Sequence, residues 1–313
     1  MNAAYLHLLL NHVPTVGGVV ALGLLIAAAV RRHDALAHAA LELLVVVAIV
    51  ALPAYTTGTA AQLALRDRPD VSSLAVRAHQ DAALAGFAVL EVAGFLAWIA
   101  LWRSRRQRRV RPASVAATML VLVAALALLA RAATLGGAIR HPEIRPAGTV
   151  AAPVTADPGW PFVAAAISSF MVSSRWAWPA AEAVHFLGLS LSLGVLLAVN
   201  LRILGAMRGV PFAALHRLLP WAMLGLGANL ATGMLFFIAQ PGQYVDSPPF
   251  LWKLVFLMIA AANFLYLTVF EKPWARDGFE ASAADKALAV CSLAAWLGVL
   301  YAGRMLPFIG RAF

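Results

Sequence analysis

The sequence predicts an all-α, polytopic membrane protein with about eight transmembrane helices in two four-helix bundles, both termini outside. Three observations carry that expectation. Of the 313 residues, 62% are hydrophobic and only 12% charged, far from the roughly quarter-charged makeup of a soluble domain. Apolar runs near or above the ~20 residues that cross a bilayer recur along the whole length. The basic residues, finally, sit in alternate connections between those runs, as the positive-inside rule requires.

The first run, residues 4–30, has no basic leader and no small-residue cleavage pattern, so it reads as a retained span rather than a signal peptide. Within it, "LLLNHVPT" (Leu8 to Thr15) sets His12 two residues before Pro14. Proline cannot donate to the carbonyl of Leu10, so the helix opens locally beside the imidazole. Gly17 and Gly18, one turn deeper, clear space there for a flat macrocycle or a close helix. Arg31 and Arg32 follow this span; runs two and three cover 36–56 and 73–102, and "WRSRRQRRVR" (Trp102 to Arg111) follows the third. Run four covers 113–137. The Pro/Gly-rich stretch "HPEIRPAGTVAAPVTADPGWP" (His141 to Pro161) then reads as a domain junction. It divides the chain into an N-terminal bundle at 1–140, an outer linker at 141–174 with a short interfacial helix, and a C-terminal bundle at 175–313. The second bundle has runs at 176–205, 211–239, 250–270 and 287–306. Its basic residues Arg202, Arg208, Arg217, Lys272, Arg276 and Lys286 fall on the same side as the first two basic loops if the spans alternate.

Composition also excludes function classes. The formal charge of +10 sits at helix ends rather than on one soluble face, which points to a lipid bilayer and not to nucleic acid. The single cysteine, Cys291, excludes an internal disulfide, a Cys-ligated zinc site and an iron–sulfur cluster. No HExxH, GxSxG or phosphate-loop motif is present.

Ionisable groups inside a bilayer are costly, so each is a functional candidate with a partner to be named. At about 1.5 Å rise per residue, His12 lies about 12 Å, His79 about 10 Å and His185 about 14 Å below the outer starts of their spans. Arg131 sits about 10 Å from the outer end of span four by the same arithmetic. That shared level suits a b-type haem, whose axial ligands are neutral imidazoles on facing helices and whose propionates pair with arginine. His12 and His79 form the first pair, with Arg77, Arg131 and Arg140 as propionate partners. The alternative is that each histidine only bonds a neighbouring helix, and that Gly-Gly means tight packing. His7 lies about 140° around a helix from His12, so a regular helix does not let both hold one ion. His7 is instead a candidate to join His141 and Glu143 in an outer metal site, against the simpler reading of "HPE" as a rigid loop whose His caps span four. Glu182 and His185 share a face at i, i+3, but the second copy that a di-iron bundle needs is missing. Glu91 and the His38/Glu42 pair are either proton carriers or satisfied interhelical bonds. Tyr244 and Lys253 are candidates to orient a quinone head group or a partner's acidic edge, against a simpler role as interfacial anchors.

Several of these residues stand in recognisable motifs. "LHLLLNHVPTVGG", "ALPAYTTG", "AHQDAAL" and "GGAIRHPEIR", within about residues 1–146, resemble an uncharacterised bacterial four-helix membrane family. "EAVHFLGLSLSLG", "NLRILG", "ATGMLFF" and "SPPFLWKLVFLMIAAAN", within about residues 175–270, are similar to a second uncharacterised family. That family is related to copper-resistance D-type proteins and, more loosely, to cytochrome b-type bundles. The resemblance implies a multi-pass protein of the bacterial inner membrane. It marks His7, His12, His79, His141, Glu182, His185, Tyr244 and Lys253 as motif positions, and Asn200 stands where the related family usually has an acidic residue.

The leading functional expectation is an integral membrane electron-transfer protein holding haem b, or another His-ligated metal. It would link a membrane quinone to a periplasmic redox protein or complex subunit. The competing expectations are a transporter for copper or another small solute, with Asn229, Thr232 and Asn263 lining a path, and a non-catalytic anchor subunit.

Overall fold

The computed structural model describes residues 3–65, 71–105, 109–140, 163–245, 247–269, 281–306 and 308–309, without the side chain of Arg140. The described residues are helical, and eight stretches are long and apolar enough to cross a membrane. They group into two compact units, Met1–Ser168 and Ser169–Phe313. The junction at 141–161 lies outside the described residues.

In the first unit, α1 (Ala3–Leu10) and α2 (Val13–Arg31) form the first span, followed by α3 (Asp34–Leu65), α4 (Ser73–Ser104) and α5 (Pro112–Arg140). Each packs on the next, and α2 closes the ring against α5. The interruption at Asn11 and His12 is where Pro14 is expected to open the helix: the α-helical pattern stops at Leu10 and resumes at Val13. The two glycines beyond it are used for close helix approach. A Cβ on Gly17 would meet the Val47 side chain of α3 at 2.5 Å, and one on Gly18 the Leu126 side chain of α5 at 2.9 Å. Gly86 and Gly94 do the same for α4 against Leu129 and Ala48. Without a hydrophobic driving force between helices in lipid, such small-residue contacts are what let bundles associate. Pro53 sits inside α3, where the hydroxyls of Thr56 and Thr57 donate back to the carbonyls of Leu52 and Pro53. Large side chains such as Val19, Ile26, Val92 and Leu120 are exposed, while Leu25, Leu44, Leu90 and Leu122 fill the interior. Apolar residues on both faces are what lipid permits and water does not.

The second unit contains α7 (Ala177–Ile203), the short α8 (Phe212–His216), α9 (Leu219–Ala239), α10 (Pro248–Val269) and α11 (Ala283–Met305), and α6 (Val163–Ser173) runs across the boundary between the units. The four long helices of the second unit form an arc in the order α9, α7, α11, α10. Helices α7 and α9 cross backbone to backbone: a Cβ on Gly188 would lie 2.7 Å from the Gly225 carbonyl, and one on Gly225 2.7 Å from the Gly188 carbonyl. The Phe256 ring lies over Gly298 where α10 meets α11. Helices α9 and α10 do not pack along their length. They are bridged at one end by rings, with Phe250 stacked on Phe237 at 5.5 Å and Tyr244 5.3 Å from Phe250.

Candidate functional site

Two histidines of the first unit are held the same way. His7 on α1 donates from Nδ1 to the Ala54 carbonyl of α3 at 2.8 Å, and His79 on α4 donates from Nδ1 to the Ala132 carbonyl of α5 at 2.8 Å. Each ring lies over a glycine one turn beyond its acceptor. A Cβ on Gly58 would stand 3.1 Å from the His7 ring, and one on Gly136 3.0 Å from the His79 ring. A carbonyl can only accept, so Nδ1 carries the proton and, in the neutral ring, Nε2 carries the lone pair. Among the described residues, neither Nε2 makes a hydrogen bond. The two imidazoles lie within electrostatic reach of each other.

The surroundings are polar for a membrane interior. Tyr55, next to Ala54, stacks on Phe87 with ring centroids 4.8 Å apart and lies within electrostatic reach of Asp81. Asp81 accepts the Ala164 N–H at 3.2 Å, which ties the start of α6 to this end of the bundle. Gln80 donates to Gln62 between α4 and α3. Arg77 and Arg131 are exposed at the same end, Arg131 directly before the carbonyl that receives His79.

Of the expected pair, His79 is bonded to α5, and His12 makes no such interhelical bond. His12 is exposed at the break in the first span, caps nothing with its side chain, and leaves His7 as the imidazole turned onto α3. His141 and Glu143, expected beside His7, lie outside the described residues, as does the Arg140 side chain. His38 is bonded at both ring nitrogens, to the Asp34 carbonyl at 2.9 Å and to Ser104 Oγ at 3.0 Å, so it serves as an interhelical tie. Glu91 Oε1 is buried without a hydrogen-bond partner among the described residues.

The second unit repeats the anchoring with a hydroxyl in place of a carbonyl. His185 Nδ1 meets Thr232 Oγ1 at 2.9 Å, and the Thr232 hydroxyl donates to the Ala228 carbonyl at 2.7 Å. With the Thr232 hydroxyl donating to Ala228, Nδ1–H is the donor to Thr232 and Nε2 carries the lone pair. Gly233 borders this ring as well, 3.6 Å from its Cε1 to an ideal Cβ. Phe236 meets it edge to face at 5.6 Å. Glu182 is exposed, apart from this arrangement. Lys253 on α10 is half-buried, within electrostatic reach of His185, and makes no ion pair or hydrogen bond among the described residues. Tyr244 is half-buried between Phe237 and Phe250, and burial pushes its hydroxyl pKa up.

The residues expected to line a solute path are engaged otherwise. Asn229 donates to the His185 carbonyl at 2.9 Å, Asn263 to the Leu288 carbonyl at 3.0 Å, and Thr232 is spent on Ala228 and His185. Asn200 donates to Leu196 and Ser292. Among the described residues there is no group of three or more His, Cys, Asp or Glu side chains placed to hold a metal ion.

No family model, curated protein or solved structure matches the chain. What the site does is therefore argued from its own chemistry. The role of glycines as seats for imidazoles was missed in the sequence, although Gly58 and Gly136 each stand four residues after the accepting position, a spacing that a helix turns into one face.

Proposed function

We propose that the protein is a membrane electron-transfer protein whose first unit binds haem b through His7 and His79, exchanging electrons between a quinone in the bilayer and a redox partner at the outer face. The observation that carries this reading is the paired commitment of Nδ1 to backbone carbonyls, which presents two Nε2 lone pairs from separate helices. A hydrogen bond from one imidazole nitrogen to a backbone carbonyl fixes the tautomer and raises the basicity of the other nitrogen as a metal ligand.

The donor set fits the group. Two neutral imidazoles would hold a b-type haem through His7 and His79. Glycines under both rings leave them flanked by backbone rather than by bulky side chains. Arg77 and Arg131, exposed at the same end, would pair with propionates as forked donors. When bound, the haem iron supplies the one-electron chemistry. The chain's own share is to hold the imidazoles in one orientation, surround them with low-dielectric helices, and fix the potential through the Ala54 and Ala132 carbonyls.

The test is the optical spectrum of the purified protein from iron-replete cells, with metal analysis. A Soret band that is lost in His7→Ala and in His79→Ala, and kept in His12→Ala, is expected. A colourless wild-type protein, or full haem occupancy in both His7→Ala and His79→Ala, would refute the assignment.

A further inference from the structure

Within the second unit, four observations converge on one end of the arc. Lys253 is an ionisable side chain in a membrane span without a counter-ion among the described residues, a costly arrangement that marks ligand or proton sites. Its Nζ lies 3.7 Å from where a Cβ on Gly303 would stand, so the side chain crosses from α10 toward α11 instead of extending into lipid. His185, within its electrostatic reach, offers an unprotonated Nε2 because Thr232 and Ala228 claim the Nδ1 side. And α9 and α10, the two ends of the arc, do not pack along their length, while Phe237, Tyr244 and Phe250 close it at one end.

We infer that this unit binds the head group of a bilayer-soluble quinol between His185 and Lys253, with entry from the membrane between α9 and α10. The quinol identity rests on the electron-transfer reading, and the head-group chemistry rests on the side chains. A phenolic oxygen donates its O–H to a lone pair on Nε2 and accepts from an ammonium, so one atom answers both groups. A carboxylate accepts from the lysine but has no proton for Nε2. An ether oxygen accepts and cannot donate. The aromatic side chains Phe236, Phe237 and Phe250 offer flat apolar surfaces at the same end.

Gly303 and Gly233 have a part in this. Both leave room beside the polar atoms, at Lys253 Nζ and at His185 Cε1 respectively, that a larger side chain would take. Thr232 is the positioning residue. When its hydroxyl proton goes to Ala228, Thr232 accepts from His185 Nδ1, which leaves Nε2 free to accept a phenol proton.

The test is anaerobic titration of the full-length protein in detergent, followed by tryptophan quenching. The probes are a decyl-substituted benzoquinol, its dimethyl ether, and decanoate. The quinol is expected to bind at least about tenfold more tightly than either comparison compound, the scale of one hydrogen bond to a charged group. Lys253→Met and His185→Leu each weaken quinol binding about tenfold or more, and Lys253→Arg restores most of it. Restoration by arginine shows that the methionine variant failed for want of a cation and not of a fold. Equal affinity for quinol and dimethyl ether, unchanged quinol affinity in both Lys253→Met and His185→Leu, or tighter binding of decanoate would each overturn the inference. A His7→Ala/His79→Ala protein separates the two proposals: quinol binding persists there without haem, whereas a haem-bearing wild type that ignores the quinol sinks this site alone.

Discussion

Replacing Gly136 by alanine measures how tightly the His79 ring is held. In an open helix position this change is favourable by up to about 1 kcal/mol, because alanine has the higher helix propensity. At Gly136 the new Cβ would stand 3.0 Å from His79 Cε1 and 3.1 Å from Nδ1. Carbon–carbon contacts settle at about 3.5–4.0 Å, so the ring or the helix must retreat by about 0.5 Å. The ring is tethered at 2.8 Å to Ala132, and a retreat of that size lengthens the bond to about 3.3 Å, past the usual range, and weakens it. A bond of this kind contributes about 0.5–1.5 kcal/mol, so weakening it offsets the propensity gain. Gly23, with nothing within 4 Å of its ideal Cβ, is the internal control. Thermal unfolding of the two variants, read alongside the content and midpoint potential of the proposed haem, is the assay. Gly23→Ala is expected to match or exceed wild type in stability, while Gly136→Ala gains nothing and shifts the potential or lowers occupancy. A Gly136→Ala protein as benign as Gly23→Ala in all three measurements would show that the contact does not hold the imidazole.

Reporter fusions are expected to place residues 103–111 in the cytoplasm and Gly148 outside, by the asymmetry of basic loops; activity of a Gly148 fusion only on the inside would reverse the orientation. Asn229→Leu removes the donor to the His185 carbonyl and is expected to cost about 0.6–1.7 kcal/mol, the range of interhelical bonds in membranes, with unchanged thermal stability speaking against a tie between α7 and α9 there. Tyr244 has its hydroxyl pKa raised by burial, so the folded state keeps its proton where the unfolded chain has lost it. That stabilisation is complete below about pH 10 and fades as pH rises through the folded value; the alkaline fall in melting temperature should therefore be shallower in Tyr244→Phe, and identical curves would contradict the burial.

Hydropathy, basic-loop placement and proline position determined the spans, because insertion depends on residue-by-residue transfer into lipid and on backbone groups that must bond within their own helix. The eight spans, the interruption beside Pro14 and the close helix approach at Gly17 and Gly18 are all local properties of that kind. Which imidazole meets which helix is not local. In a bilayer the lipid-facing and interior-facing sides of a span are both apolar, as the exposed Val19 and buried Leu25 of α2 illustrate, so periodicity says little about the direction in which a side chain points. Depth alone ranked His12 beside His79. The tertiary packing instead turned His7 onto Ala54 and Gly58, His79 onto Ala132 and Gly136, and His185 onto Thr232. Those choices follow from the rotation of each helix about its own axis, which close glycine contacts and interhelical hydrogen bonds decide and hydropathy does not.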